Sequence, residues 1–217
     1  MSSEAMSMRR LGPVAAAVAM AWSAAAAAQP LGPGLDGLQA ARPGAAFLVE
    51  PIAERTVAAL PQAPLYWRVE SYPSLEQARA AAGELSLAAE AWGQAWLFTL
   101  GPAGGSSPGG RKLAEVGPVP VPPASRYLLR VNRAGGPPGA ATPVHTHPGS
   151  EAFYVLKGQL TQKTPHGIAR LEAGAAMNGH EPGMTMQLVS TGREDLEQLV
   201  MFVVDADRPF SSPATFD

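Results

Sequence analysis

No cysteine occurs anywhere in the chain. Disulfide cross-links are excluded, and so is any chemistry that needs a thiolate as nucleophile or metal ligand. A bound metal would have to be held by histidine, carboxylate, methionine or backbone oxygen. Charge is sparse as well: charged residues are 16% of 217, and the formal net charge is only -2. That balance gives no reason to expect nucleic acid or an acidic membrane surface as a partner. Aromatic residues are 6% of the chain. Those of the first half (Tyr66, Trp67, Trp92, Trp96, Phe98) read as core packing of a small β-rich unit rather than as a ligand platform. Glycine and proline, by contrast, are plentiful, at 23 and 22 residues, while hydrophobic residues reach 46%. A packed core with many turns follows, which suits an all-β fold better than a helix bundle.

The first 28 residues read as an export signal rather than as part of the fold. Arg9 and Arg10 precede an apolar run from Val14 to Trp22, and Ala26-Ala27-Ala28 before Gln29 offers a small-residue cleavage site. An uncleaved membrane anchor is the other reading, but the apolar stretch is short and its alanines weakly hydrophobic, so the expectation is a periplasmic or secreted protein with no membrane segment after cleavage. The Arg9-Arg10 pair is also a faint hint of twin-arginine export. Residues 29–46, rich in Gly, Pro and Ala, read as a flexible arm.

Residues 47–125 read as a β/α extension. Strand composition is expected at Leu65–Ser71, and Ser74 caps a helix over Leu75–Ala82 that ends at Gly83. Leu85–Ala91 and Gln94–Leu100 read as a hairpin about Trp92-Gly93. Val116–Pro123 alternates Val and Pro, so it is extended or an edge and not a central strand. Residues 126–210 change character and become a meander. Six strands are expected there: Tyr127–Asn132, Glu151–Leu156, Gln159–Thr164, Gly167–Leu171, Met184–Ser190 and Leu196–Asp205. Gly or Pro punctuates almost every gap, as in a sandwich or barrel. Leu199–Val204 is apolar throughout, which suits a strand buried on both faces.

All four histidines fall in this second half. His145 and His147 are two apart, so an extended backbone turns both rings to one side. Pro148-Gly149 then bends the chain and returns Glu151 to the same space. Two imidazoles and a carboxylate make a three-ligand site with open positions, suited to Fe, Mn, Zn, Ni or Cu. His166, in Pro165-His166-Gly167, reads as an exposed turn residue.

The spacing Gly139, His145, His147, Glu151, Gly158 resembles the first motif of the cupin superfamily, G-x5-H-x-H-x3-E-x6-G, at every fixed position. The resemblance covers Gly139 to about Phe210 and implies a double-stranded β-helix, or jelly-roll, barrel with its metal inside. The second cupin motif, G-x5-P-x-G-x2-H-x3-N, departs: anchoring on Gly183 puts Met186 where the family has a metal-binding histidine and Ser190 where it has asparagine. A shift by one puts Thr185 there. Three completions of the site are open: His145, His147 and Glu151 with water alone, His180 folding in from the preceding loop, or Met186 coordinating a soft metal such as copper. A fourth reading has the histidines meet an organic ligand without metal. Met184 and Met186 also suit simple core filling.

Similarity to metal-dependent cupin oxygenases and isomerases implies an enzyme acting on a small organic molecule, with Glu151 as a ligand or as a catalytic base. The other class is a non-catalytic periplasmic binder of a metal or small ligand, which the altered second motif would suit. Pairing into a homodimer through edge strands or through the Val116–Pro123 stretch is a further expectation.

Overall fold

The computed structural model describes residues 45–216. The expected export signal at 1–28 and nearly all of the 29–46 arm lie outside the described residues. Among the described residues no helix is long and apolar enough to cross a membrane.

Among the described residues the fold is all-β, with one short helix. In chain order the elements are β1 (Leu48–Val57), β2 (Tyr66–Tyr72), α1 (Leu75–Ala80), β3 (Ser86–Ala91), β4 (Gln94–Gly101), β5 (Arg111–Val116), β6 (Tyr127–Gly136), β7 (His145–Thr146), β8 (Gly149–Lys157), β9 (Gln159–Thr164), β10 (Gly167–Glu172), β11 (Ala176–Asn178), β12 (Gln187–Ser190), β13 (Leu196–Asp205) and β14 (Ser212–Pro213). A five-stranded sheet has the order β1-β6-β13-β8-β11, a three-stranded sheet β10-β9-β12, and a four-stranded sheet β3-β4-β2-β5; β14 pairs with β7. Every pairing is antiparallel.

Side-chain alternation explains how three layers stack. Along β6, β8 and β13, Leu129, Val131, Ala152, Tyr154, Leu199, Met201 and Val203 join a core shared with Trp67, Val69, Trp96 and Phe98 of the four-stranded sheet. The intervening residues, among them Ala134, Phe153, Val155, Val200, Phe202 and Val204, join Leu160 of β9 and Leu188 of β12 in a second core. The five- and three-stranded sheets thus close on each other as a jelly-roll barrel, and the four-stranded sheet covers its back. Leu199–Val204 can be apolar throughout because both of its faces are covered, as its composition implies.

Three strands of the four-stranded sheet, β2, β3 and β4, form where composition suggests them. Ser74 caps α1 by accepting from the Gln77 N–H, and the β3–β4 hairpin turns on Trp92 (φ 55) and Gly93 (φ 72). Two left-handed residues in sequence match the right-handed twist of the flanking strands.

One grouping changes. β1, placed with the 47–125 extension by sequence, is hydrogen-bonded along β6 and is the edge strand of the barrel's own sheet. Val57 enters the shared core with Ile52 and Ala53 packed against it, so burial draws this strand to a partner some 80 positions away in the chain. β5 is a strand that composition did not mark: Arg111-Lys112-Leu113-Ala114-Glu115-Val116 is polar enough to pass for loop, and only pairing with β2 orders it.

Candidate metal centre

His145 sits on a two-residue strand clamped from both sides. Its N–H donates to Met186 O (3.0 Å) and its carbonyl accepts from Met186 N–H (2.9 Å), while β14 pairs along the other edge. His147 follows one pleat later, then Pro148, whose carbonyl accepts from Asp205 N–H and starts the chain into β8. Glu151 lies on β8 opposite Phe202 of β13. Gly179 N–H donates to the Glu151 carbonyl at 2.7 Å. A Cβ at Gly179 would stand 2.3 Å from that oxygen and 2.6 Å from Glu151 Cγ, so only glycine permits the approach.

The three residues expected as ligands do meet in one buried place: His145, His147 and Glu151 are 7%, 6% and 2% exposed. The imidazole rings stand edge to face with centroids 4.9 Å apart. His147 Nε2 is 4.0 Å from Glu151 Oε2. Among the described residues, however, no three His, Asp or Glu side chains stand closely enough to clasp one ion. Glu151 is turned instead to Gln162, whose Nε2 donates to Glu151 Oε1 at 3.2 Å.

Gln162 is the residue that motif reading missed. It is fully buried on β9, and its Oε1 accepts from His180 Nε2 at 2.7 Å, so His180 reaches the site through the amide rather than directly. Met186 Sδ lies 4.0 Å from Gln162 Nε2, which puts Met186 inside the cluster, while Thr185 is only half-buried. The available signal was the pattern of β9 itself, Gln159-Leu160-Thr161-Gln162-Lys163-Thr164, a polar strand in the middle of an apolar meander. His166 is exposed in its turn, as expected.

Both histidines have their tautomers set by the backbone. His145 Nδ1 donates to Pro143 O (2.8 Å) and His147 Nδ1 donates to Phe210 O (2.6 Å). Each Nε2 is therefore the lone-pair nitrogen, the state in which imidazole ligates a metal. Phe210, from the C-terminal stretch, also packs on His147 and Phe202 at centroid distances of 4.8 and 4.9 Å and covers this end of the barrel. Arg130 of β6 lays its guanidinium 4.3 Å over the Phe210 ring.

Burial controls the charge states. It pushes the Glu151 carboxyl up to about 8 and is the first cause that drives His147 down to about 3, helped by the neighbouring His145 and Arg130. His145 and His180 are lowered, again chiefly by burial. At neutral pH both partners of the 4.0 Å His147–Glu151 contact are uncharged, so it is not an ion pair. Burial also lowers the Arg130 guanidinium, which stays charged. Neutral imidazoles with backbone-tied Nδ1, and a carboxyl that a cation would deprotonate, are donor types that a divalent transition metal takes, but as placed the three do not close on one point.

No family model and no curated protein matches the chain. Among solved structures it is similar to the DMSP lyase DddQ from Ruegeria pomeroyi, with 23% identity over 40% of this chain and 43% of that one at a TM-score of 0.35. It is similar to the polyketide cyclase RemF from Streptomyces resistomycificus, with 20% identity over 41% of this chain and 62% of that one at 0.35. A cupin-like protein from Thermotoga maritima aligns at 18% identity over 40% of this chain and 64% of that one, at 0.36. The chain spans less than two thirds of each of these proteins, and the cupin likeness stands on its own motif and its own pair of facing sheets.

Proposed function

We propose that this chain is a metal-dependent cupin that acts on a small organic molecule inside the barrel. The observation that carries the reading is the pair of Nδ1–carbonyl hydrogen bonds, from His145 to Pro143 and from His147 to Phe210, which leave two Nε2 lone pairs in a buried cluster with Glu151. His145 and His147 would hold the ion as neutral ligands, and Glu151 would join them once it gives up its proton. Gln162 would orient Glu151, and Met186 offers a soft sulfur beside them. A metal here would supply Lewis acidity toward a ligand oxygen. Glu151, held as a neutral acid by burial, could release or accept a proton at Oε2 near neutral pH, which suits an isomerase or an oxygenase. The reading includes export, on the strength of Arg9-Arg10 and the alanine-rich run behind it.

The test is metal content by mass spectrometry of atoms after purification without chelator. The expected result is about one Fe, Mn, Zn, Ni or Cu per chain, lost in His145→Ala and in His147→Ala. Metal retained in both substitutions would overturn the assignment. A second reading, a non-catalytic holder of the ion, draws on the near-complete enclosure of the site behind Phe210. It predicts that bound metal exchanges slowly and that no turnover accompanies it.

A further inference from the structure

Two segments border His145, His147 and Glu151, and they are held with different strength. One is the loop between β11 and β12. There Gly179 N–H donates to Glu151 O (2.7 Å), Gly183 N–H donates to His147 O (2.8 Å), and Met186 exchanges two main-chain bonds with His145 (2.9 and 3.0 Å). The other is the strap that follows β13, residues 206–216. Its base is firm. Ala206 N–H donates to Arg126 O (3.0 Å), and Asp207 pairs with Arg126 and accepts from the Ser125 hydroxyl (2.6 Å). Beyond Asp207 the hold is thin. Arg208, Pro209, Ser212, Pro213 and Thr215 are exposed. β14 is a two-residue ladder on β7, and Pro213 has no N–H to give it. Ala214 N–H donates to Val144 O (3.1 Å), and the Phe216 ring lies 4.5 Å from the Lys163 ammonium.

This thinly held strap carries the cover of the centre. The Phe210 ring packs on His147 at 4.8 Å, and the Phe210 carbonyl accepts from His147 Nδ1 at 2.6 Å. Phe202 meets the same imidazole at 5.0 Å. Held between two aromatic rings and tied at Nδ1, the His147 ring has no freedom to turn while the strap is down. His145 and His147 are then 7% and 6% exposed, so solvent scarcely touches either ring. A segment with exposed residues and few backbone bonds opens locally at far lower cost than the whole fold. Such an opening does not dismantle the centre, because β7 keeps its bonds to Met186 when β14 leaves.

We infer that residues 208–216 are a lid: the strap lifts about Asp207, uncovers His145 and His147 and frees the His147 ring, and its return locks that ring in place. The inference goes beyond the proposed metal binding by assigning the way in, and it rests on that reading only for what enters.

The experiment is labelling of the metal-free full chain by diethyl pyrocarbonate at neutral pH, read at each histidine by peptide mass spectrometry. The reagent attacks accessible neutral imidazoles, and exposed His166 is the internal standard. A lock is available in a chain with no cysteine of its own. Thr146→Cys with Ser212→Cys joins β7 to β14 at a register pair, where Cβ atoms are about 5 Å apart. The oxidised pair should label at His147 roughly tenfold more slowly than the parent, with His166 unchanged. Deleting residues 210–217 should raise labelling of His145 and His147 roughly tenfold, and Phe210→Ala, which keeps the main-chain bonds, should raise His147 by less. Leu199→Ala, which weakens the outer core and leaves the strap alone, should change neither. Labelling of His147 that is equal in the parent and the oxidised pair would overturn the inference. So would a rise in Leu199→Ala as large as the deletion's, since access would then run through unfolding of the whole barrel. Zinc uptake, timed by release from a coloured chelator, should be fastest in the deletion and slowest in the oxidised pair. Labelling in that order without zinc uptake upholds the lid and sinks the metal centre alone; zinc uptake at one rate in all, with equal labelling, sinks the lid alone.

Discussion

The five-stranded sheet has two faces made by the same strands, and they have opposite chemistry. Outward, Leu129, Val131, Leu199, Met201 and Val203 meet the four-stranded sheet in a dry apolar layer. Inward, one residue along each time, Arg130, Asn132, Gln198 and Glu151 bring a cation, two carboxamides and a carboxyl into the barrel. A period of two lets one strand serve both purposes, since consecutive side chains never share a face. The outer face contributes stability, while the inner face gives some of it up in desolvated polar groups.

The largest effect expected from testing that contrast is on the outer face. Leu199→Ala should cost about 2–5 kcal/mol in urea unfolding, because a fully buried leucine leaves a cavity between two sheets. Metal uptake per folded molecule should be unchanged. Loss of uptake in step with stability would show that the two faces are not separate.

The next effect is on pH dependence, and it belongs to the inner face. Between about pH 4.5 and 8 the folded protein keeps a proton on Glu151 that the unfolded chain has lost, so stability falls as pH rises. His147 acts in the other direction below about 6.5, where the unfolded imidazole takes up a proton that the folded one refuses down to about 3. The two oppose each other from 4.5 to 6.5, and above 6.5 Glu151 acts alone. Metal-free protein should therefore lose about 2 kcal/mol between pH 6.5 and 8, at about 1.4 kcal/mol per pH unit, and Glu151→Gln should flatten that limb. Urea melts at four pH values check it; a flat profile in the parent would mean that Glu151 is ionised in the fold. An added divalent ion should stabilise more at pH 8 than at 6, since it competes with the proton.

The smallest effect sharpens the contrast most. Gln198→Leu replaces an unsatisfied carboxamide with an apolar side chain of similar volume, so the protein should gain on the order of 1 kcal/mol. A loss of that size, measured by thermal unfolding of the metal-free protein, would mean that Gln198 has partners after all.

Much of the fold was legible locally. Gln159–Thr164 and Leu196–Asp205 have the bounds their composition implies, and Ser74 and Trp92-Gly93 act as cap and turn. These are short-range signals, decided by neighbours within a few residues. What composition could not mark is long-range pairing. β1 reads as the front of an extension until β6 supplies its hydrogen bonds, and β5 is polar enough to be a loop until β2 does. The site divides in the same way. His145, His147 and Glu151 lie within seven consecutive residues and can be read as a motif, whereas Gln162, Arg130 and Phe210 come from separate strands and the C-terminal stretch. Phe210 reaches His147 across 63 positions, and no pattern in either segment announces the other.

By itself, then, the order of residues determined the all-β class, most strand bounds and the identity of three candidate ligands, because alternation, turn residues and a fixed motif act over a few residues at a time. Tertiary structure alone decided which face each side chain shows. It decided that Glu151 meets Gln162 and stays a neutral acid, and that Arg130, Asn132 and Gln198 form one wall. Burial and cross-strand register set those outcomes, and both depend on segments far apart in the chain.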